Sequence, residues 1–403
     1  MVAMKRGEPR GDDRLPPAPD PLRRAPGEAP ERGRGATFNP ANRFRREGRE
    51  AYDDGWPATP PDSTDGDRDD GDPAPLSSPL SSPLSPPLRT TVTIQSARTI
   101  IAHNASPDIP FNQSINPYQG CEHGCIYCYA RPTHAYHDLS PGLDFETKLF
   151  AKPNAPVLLR SEFMKKGYRC DPIALGTNTD PYQPIEREWK VTRGIIEVLV
   201  EHEHPFTIVT KSALVERDID LIAPMAAKNM ARVYVSITTL DKELARSLEP
   251  RAATPPRRLQ AIRALTDAGI PVGVLAAPVI PQLNDRDLEA ILEAAAAHGA
   301  GYAGWIMLRL PLEVAPLFRD WLDAHYPLRA EHVMSVLRQL RGGRDYDARF
   351  GARMKGTGPF AELIEKRFAL ACKRLGLNRD RAPLDTSCFR PPVPAGPRQL
   401  DLL

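Results

Sequence analysis

What this chain of 403 residues lacks narrows its identity before any motif is read. It lacks an excess of either charge: 53 basic residues stand against 51 acidic ones, a formal net charge of +2. That argues against a strongly basic nucleic-acid protein, although a local basic groove is compatible with it. No stretch reaches the roughly 20 apolar residues that a membrane span requires, so no membrane association is expected. The opening Met1-Val2-Ala3-Met4-Lys5-Arg6-Gly7-Glu8 carries no apolar run behind its charges. No secretory signal is therefore visible, and a cytoplasmic location is expected. Cysteine is scarce, six in all. Cytosolic thiols are kept reduced, which suits a metal group that needs free thiolates.

Three of those six cysteines fall within eight residues, Cys121-Glu122-His123-Gly124-Cys125-Ile126-Tyr127-Cys128, a C-x3-C-x2-C run. Three thiolates this close grip one face of a metal cluster but do not complete a four-coordinate site. Iron–sulfur clusters normally take four thiolates, and a closed zinc site wants four ligands, usually as two separated pairs. The trio points to a [4Fe–4S] cluster with one iron open to a small molecule. A zinc site completed by Cys170 or His123, or unrelated buried thiols, are the alternatives. His123 by itself reads as a solvated loop residue.

Along the chain, roughly the first 95 residues are crowded with Pro, Gly, Arg, Asp and Ser and include the low-complexity run 76–88. Such a composition buries too little apolar surface to offset the entropy of ordering, and a disordered arm is expected. One island, 36–44, keeps Phe38 and Phe44 and either docks on the folded body or belongs to the tail. From about Arg98 short apolar runs alternate with helical patterns. Strands are predicted at 113–118, 173–176, 206–210, 233–238, 272–277 and 304–308. Helices are predicted at 192–203, 218–229, 255–268 and 285–298. The third has Thr254 as a plausible N-cap, proline in its first turn and Gly269 at its end. The run 272–280 is apolar without alternation, as in a parallel strand covered on both faces.

Strand–helix repetition at this spacing implies βαβ crossovers and one parallel sheet. Six units do not close an eight-fold barrel, so the expected fold is α/β, an open, partial (β/α)6 barrel over 96–311. Helices at 313–325, 330–340 and 360–375 then form a C-terminal region, 312–403, that closes the open side.

The cysteine spacing, with Tyr127 before the last thiol, resembles the signature of the radical S-adenosylmethionine (radical SAM) enzymes. The resemblance implies that Cys121, Cys125 and Cys128 bind three irons of a [4Fe–4S] cluster while SAM chelates the fourth. An electron from the cluster then cleaves SAM to a 5′-deoxyadenosyl radical. It also implies an external reductant such as a flavodoxin or ferredoxin, and a monomer is expected. In such parallel barrels the site lies at the C-terminal strand ends, and polar residues stand at those ends. By resemblance Thr177, Asn178 and Asp180 after the second strand bind the SAM amino group; an Asx/Pro turn with a structural role is the alternative. Lys211 after the third offers a carboxylate a charge-assisted contact. Ser236 and the downstream Arg251 contact ribose or carboxylate, and Tyr127 packs beside the cluster with its backbone near adenine. Lys211 and Arg251 are the candidate catalytic residues, and Arg309 stands at the sixth strand's mouth.

The closer likeness is to the spore photoproduct lyase and DNA repair photolyase-like branch. It rests on Asn116-Pro117-Tyr118-Gln119-Gly120-Cys121, Thr179-Asp180-Pro181-Tyr182-Gln183-Pro184, Thr210-Lys211-Ser212, Val235-Ser236-Ile237-Thr238 and Glu249-Pro250-Arg251. The lyase uses an extra cysteine near the end of the second strand as hydrogen donor, whereas this chain has Gly176-Thr177 there. Three functions follow: a radical SAM enzyme on an unidentified substrate; repair or modification of a nucleic-acid base, with Arg131, His134, Lys148 and Lys152 as a basic rim; and a non-catalytic metal-binding interaction protein.

Overall fold

A computed structural model describes residues 33–44, 89–380 and 382–392. The low-complexity run 76–88 and most of the expected arm lie outside these residues. Among the described residues, strands β1 (Thr91–Ile94), β2 (Ile101–His103), β3 (Gln113–Ile115), β4 (Tyr118–Gln119) and β5 (Lys148–Ala151) come first. Then β6 (Ile173–Leu175), β7 (Phe206–Thr210), β8 (Ala231–Ser236), β9 (Val272–Val279) and β10 (Tyr302–Met307) alternate with helices.

The main sheet runs β10-β9-β8-β7-β6-β3-β2. β3 and β6 to β10 pair in parallel, while β2 lies antiparallel to β3 on the edge. These six parallel strands are the ones the apolar runs predict. β10 and β2 are opposite edges of the sheet, so this is an open, partial (β/α)6 barrel. A second sheet, β1-β5-β4, sits beside it; its strands have two to four residues, too short to show a period. β9 runs past the expected end through Pro278 to Val279. The register against β10 shifts between Trp305 and Met307, and an irregular step of this kind tolerates a residue without an N–H.

The helix Val191–Glu201 buries Val191, Ile195, Ile196, Val198 and Leu199 against the sheet. The helix Pro255–Asp267 begins with two prolines, but Thr254 caps it through its backbone carbonyl, 3.0 Å from the Arg258 N–H, and its side chain makes no capping bond. Gly269 ends it with φ +78°, a conformation that favours glycine. No helix among the described residues is long and apolar enough to cross a membrane.

The C-terminal helices do two jobs. Val314–His325 and Ala330–Leu340 bury Phe318, Trp321, Val333 and Leu337 in a second core that includes Ile126 and Tyr127 of the cysteine loop. Arg341 ties the end of β10 (Leu308 O, 2.7 Å) to the carbonyls of Ala352 and Arg353. Arg353 in turn pairs with Asp108 in the loop after β2 (2.5 Å). The two edges of the open sheet are thus bridged through residues 351–353, which lie between the predicted C-terminal helices.

Two fully buried histidines couple stability to pH. His134 Nε2–H donates to Lys148 O (2.9 Å) and its ring lies edge-on to Phe145; His204 stacks on Phe163 and meets the Tyr168 hydroxyl at 2.7 Å. Burial pushes both imidazoles down from 6.5 to about 4. The folded chain keeps them neutral where the unfolded chain takes up a proton. Their contribution is complete above pH 6.5 and is lost as pH falls toward about 4, by at most about 1.4 kcal/mol per pH unit for each histidine. Urea midpoints at pH 7, 6 and 5 should fall in that order; a flat series would rule this linkage out.

Candidate functional site

The cysteine loop leaves β3 through β4 and returns in the 3-10 turn Arg131–His137. Its backbone is a series of tight turns: Gly124 N–H donates to Cys121 O (3.3 Å), Cys128 N–H to Cys125 O (3.2 Å) and Arg131 N–H to Cys128 O (3.2 Å). Two other strand ends hold it. The Gln183 side chain accepts from Glu122 N–H (2.9 Å) and donates to Gly120 O (3.1 Å), while Ile126 N–H donates to Leu248 O (3.1 Å).

Cys121 and Cys125 are buried and Cys128 is partly exposed. Cys128 packs against the apolar wall of Cys121, formed by Ala130 and Phe145, and against the wall that holds Cys125 and Tyr127. Each thiol also feels the charge of its neighbours, so the three lie close together. Burial raises the Cys121 thiol well above its ordinary value, with Asp180 and the other two thiols adding to the shift. Burial also pushes Cys125 up to about 12, against the pull of the Lys211 ammonium. Thiols in such a setting give up their protons readily only to a group that supplies positive charge, as iron does.

Among the remaining cysteines, Cys170 precedes β6 at the opposite end of the sheet, Cys372 lies in the last helix near Asn378, and Cys388 packs on the main core. None of the three completes a tetrahedral zinc site with the loop. Nor does His123, which is 2% exposed rather than solvated and faces Asp180 at 3.4 Å. Among the described residues no three His, Cys, Asp or Glu side chains are close enough to hold a single metal ion. The loop fits a cluster by its donor chemistry: three convergent sulfurs, an adjacent cation and no fourth thiol.

The polar strand ends have distinct fates. Asp180 is enclosed: one carboxylate oxygen accepts from Tyr182 N–H (2.9 Å) and Thr210 Oγ1 (2.7 Å), the other from Lys211 N–H (2.7 Å). Burial alone would raise its pKa, but His123 and these donors hold it at about 2. It ties the mouth of β6 to that of β7, and its oxygens do not point into open space. Ser236 is likewise buried, its hydroxyl donating to Ala277 O (3.3 Å) inside the sheet. Arg251 pairs with Glu122 (3.2 Å) and its N–H donates to His123 O (3.3 Å), so it braces the cysteine loop. Thr177 and Asn178 remain partly exposed at the mouth, where Asn116 orders them by accepting from Asn178 N–H (2.9 Å).

Lys211 lies near the Cys125 thiol, whose proton affinity its ammonium lowers. Its Nζ lies 5.8 Å over the Tyr127 ring, and no carboxylate among the described residues is within salt-bridge distance. Burial alone would lower its pKa, but Cys125 and Glu249 keep the ammonium above its ordinary value. Arg309 stands at the sixth mouth, 5.0 Å over the Tyr129 ring and 3.3 Å from the Tyr346 hydroxyl.

Two residues absent from the expected set organise this floor. Glu249 accepts from Arg258 Nη2, from the Tyr127 hydroxyl and from Thr238 Oγ1 (2.6 Å). Its side chain and that of Arg258 are each 1% exposed. Burial works against the Glu249 charge, yet Arg258 and Lys211 hold its carboxyl at about 2. Tyr127 is thus fixed through its hydroxyl as well as its place in the loop. Arg258 was detectable in principle, since 258, 261, 262 and 265 share the buried helical face.

The expected basic rim does not form. Arg131 and His134 are fully buried, Lys152 Nζ donates to Asn116 O (3.1 Å), and Lys148 pairs with Asp144 (3.0 Å).

The sequence model of the Radical SAM superfamily matches residues 115–295. The uncharacterised protein Rv2578c of Mycobacterium tuberculosis is 37% identical over 291 residues, which cover 71% of this chain and 82% of the relative. The uncharacterised protein MJ0683 of Methanocaldococcus jannaschii is 28% identical over 213 residues, 53% of this chain and 76% of the relative. Among solved structures, spore photoproduct lyase complexed with dinucleoside spore photoproduct superposes with a TM-score of 0.51 at 17% identity, covering 71% of this chain and 80% of the lyase. That likeness is one of fold. The matched segment holds the cysteine loop and the mouths of β3 and β6 to β9, and the chain belongs to the radical SAM superfamily.

Proposed function

We propose that Cys121, Cys125 and Cys128 hold a [4Fe–4S] cluster and that Lys211, Thr177 and Asn178 bind SAM at its open face. Held by these three thiolates, such a cluster would supply the one electron needed for reductive cleavage of SAM to methionine and a hydrogen-abstracting 5′-deoxyadenosyl radical. The observation that carries this reading is the closeness of three thiols, with no fourth, beside a half-buried ammonium that no carboxylate among the described residues pairs. Lys211 would offer the SAM carboxylate a positive charge, and the partial shielding of that ammonium from water would strengthen the contact. Asp180, Ser236, Arg251 and Glu249 hold the frame. Their hydrogen bonds are satisfied within the protein, so they keep strand ends and loop in fixed relation. Buried walls around Cys125 and Tyr127 exclude water, which a carbon radical requires.

The resemblance to the lyase stops at the hydrogen donor. Gly176, where the lyase resemblance calls for a nearby thiol, has φ +86°, and a Cβ there would stand 2.2 Å from Val209 O. No cysteine fits at 176, so we assign this chain a radical reaction whose hydrogen donor is not a thiol at that position. An electron-transfer protein and a substrate at the Tyr129–Arg309 mouth complete the proposed partners. Replacing Lys211 with methionine should leave bound iron unchanged but weaken SAM binding by about 10- to 100-fold, the loss of one buried charge-assisted hydrogen bond. Equilibrium dialysis with labelled SAM measures it; equal affinity in the variant would remove Lys211 from the SAM site.

A further inference from the structure

Residues 33–44 lie outside the family match and form no helix or strand, yet they are packed against the back of the cysteine loop. Arg34, Gly35 and Ala36 are buried. Gly35 approaches the loop so closely that a Cβ on it would stand 1.8 Å from the carbonyl oxygen of Gly124. The contact is relayed through Glu146, which is fully buried. Gly35 N–H donates to one of its carboxylate oxygens (3.0 Å) and Ala36 N–H to the other (2.8 Å), while Arg131 Nη2 pairs with the same group. Arg131, also fully buried, donates to Cys125 O (3.0 Å) and Gly124 O (3.1 Å). Farther along, Asn42 Nδ2 donates to Ala135 O (2.9 Å) and Arg43 pairs with Glu313 (2.8 Å), which fixes the strap's other end. On the near side Arg34 reaches Thr90, Thr90 reaches Glu122 (2.6 Å), and Glu122 pairs with Arg251.

We propose that residues 33–44 are a retaining strap for the cysteine loop. Through Glu146 and Arg131 the strap fixes the backbone of Gly124 and Cys125, and so sets how firmly the loop's thiols are enclosed and how long a metal group stays on them. Two backbone N–H groups on a buried carboxylate are charge-assisted bonds, and removing them leaves Glu146 with one donor in a dry site. Glu146, the counter-charge of Arg131, is then held less firmly, and with it the guanidinium that donates to the loop carbonyls. The inference uses the assignment of these cysteines as ligands only for metal retention; the enclosure of the thiols stands without it.

Substituting valine for Gly35 in the full chain tests this, because the side chain has no room beside Gly124. In the metal-free protein, maleimide labelling of Cys121, Cys125 and Cys128, followed by mass spectrometry of peptides, should run at least about tenfold faster than in the native chain. Labelling of Cys170 and Cys372, on other faces, should not change. After reconstitution with iron and sulfide, the variant should lose iron to a chelator faster by a similar factor. Asn42→Ala, which leaves the Gly35 contact in place and loosens the far end, should move all these rates the same way but less. Unchanged labelling of the three loop thiols in G35V, or equal acceleration at Cys170 and Cys372, would overturn the proposal. Faster loop labelling in a chain that never takes up iron would uphold the strap and sink the cluster assignment.

Discussion

Alanine at Cys121, Cys125 or Cys128 will reduce bound iron to background after anaerobic reconstitution, while alanine at Cys170, Cys372 or Cys388 will leave it unchanged. The expectation follows from placement. The first three thiols converge on one mouth, and the other three lie at the opposite strand ends, in the last helix and in the tail. A cluster held by three sulfurs has no spare protein ligand among the cysteines, so each loss removes a whole attachment point. The fold should survive, because trimming a buried thiol to a methyl group costs only about 1 kcal/mol. Iron and sulfide analysis with far-UV circular dichroism on all six variants checks this. Iron retained in a loop variant would mean that the cluster is held elsewhere.

Alanine at Glu249 should destabilise the protein by about 3–5 kcal/mol, a large part of the total stability of a typical domain. Glu249 is the common acceptor for Arg258, Tyr127 and Thr238, and its side chain and that of Arg258 are each 1% exposed. Removing it leaves a guanidinium buried without its counter-charge, and Lys211 loses the nearer of its anionic neighbours outside the loop. A double replacement, Glu249→Leu with Arg258→Met, removes both charges at once and should recover most of the loss. Urea unfolding of the three variants reads the effect. A loss below about 1 kcal/mol in the single variant would show that water reaches this pair, as it does surface ion pairs.

The sheet was legible because a parallel strand covered on both faces must be apolar along its length. The run at 272–277 declares itself in that way and appears within the observed strand β9. The small sheet was not legible, since β1, β4 and β5 are short and take their order from distant pairings, Thr91 with Lys148 and Tyr118 with Ala151. The cysteine loop was legible from spacing alone. Its supports were not. Arg257, Arg258 and Arg263 look alike in sequence, yet Arg257 reaches a half-buried Glu216, Arg263 reaches a helix end, and Arg258 reaches the buried carboxylate behind Tyr127. Helical phase separates them, because Arg258 alone lines up with Ala261, Ile262 and Leu265. Arg131 was read as part of a basic rim because a charged residue after a loop is usually solvated; four carbonyls and Glu146 enclose it instead. The island at 36–44 could be read either way in sequence, and the small residues Gly35 and Ala36 decide it by permitting close approach.

The most direct test is product analysis on the native chain. Anaerobically reconstituted protein, given dithionite and SAM, should release 5′-deoxyadenosine and methionine in equal amounts, and C125A should release neither. Fully iron-loaded protein that leaves SAM intact under the same reductant would show that the three thiols and Lys211 do not form a SAM-cleaving site.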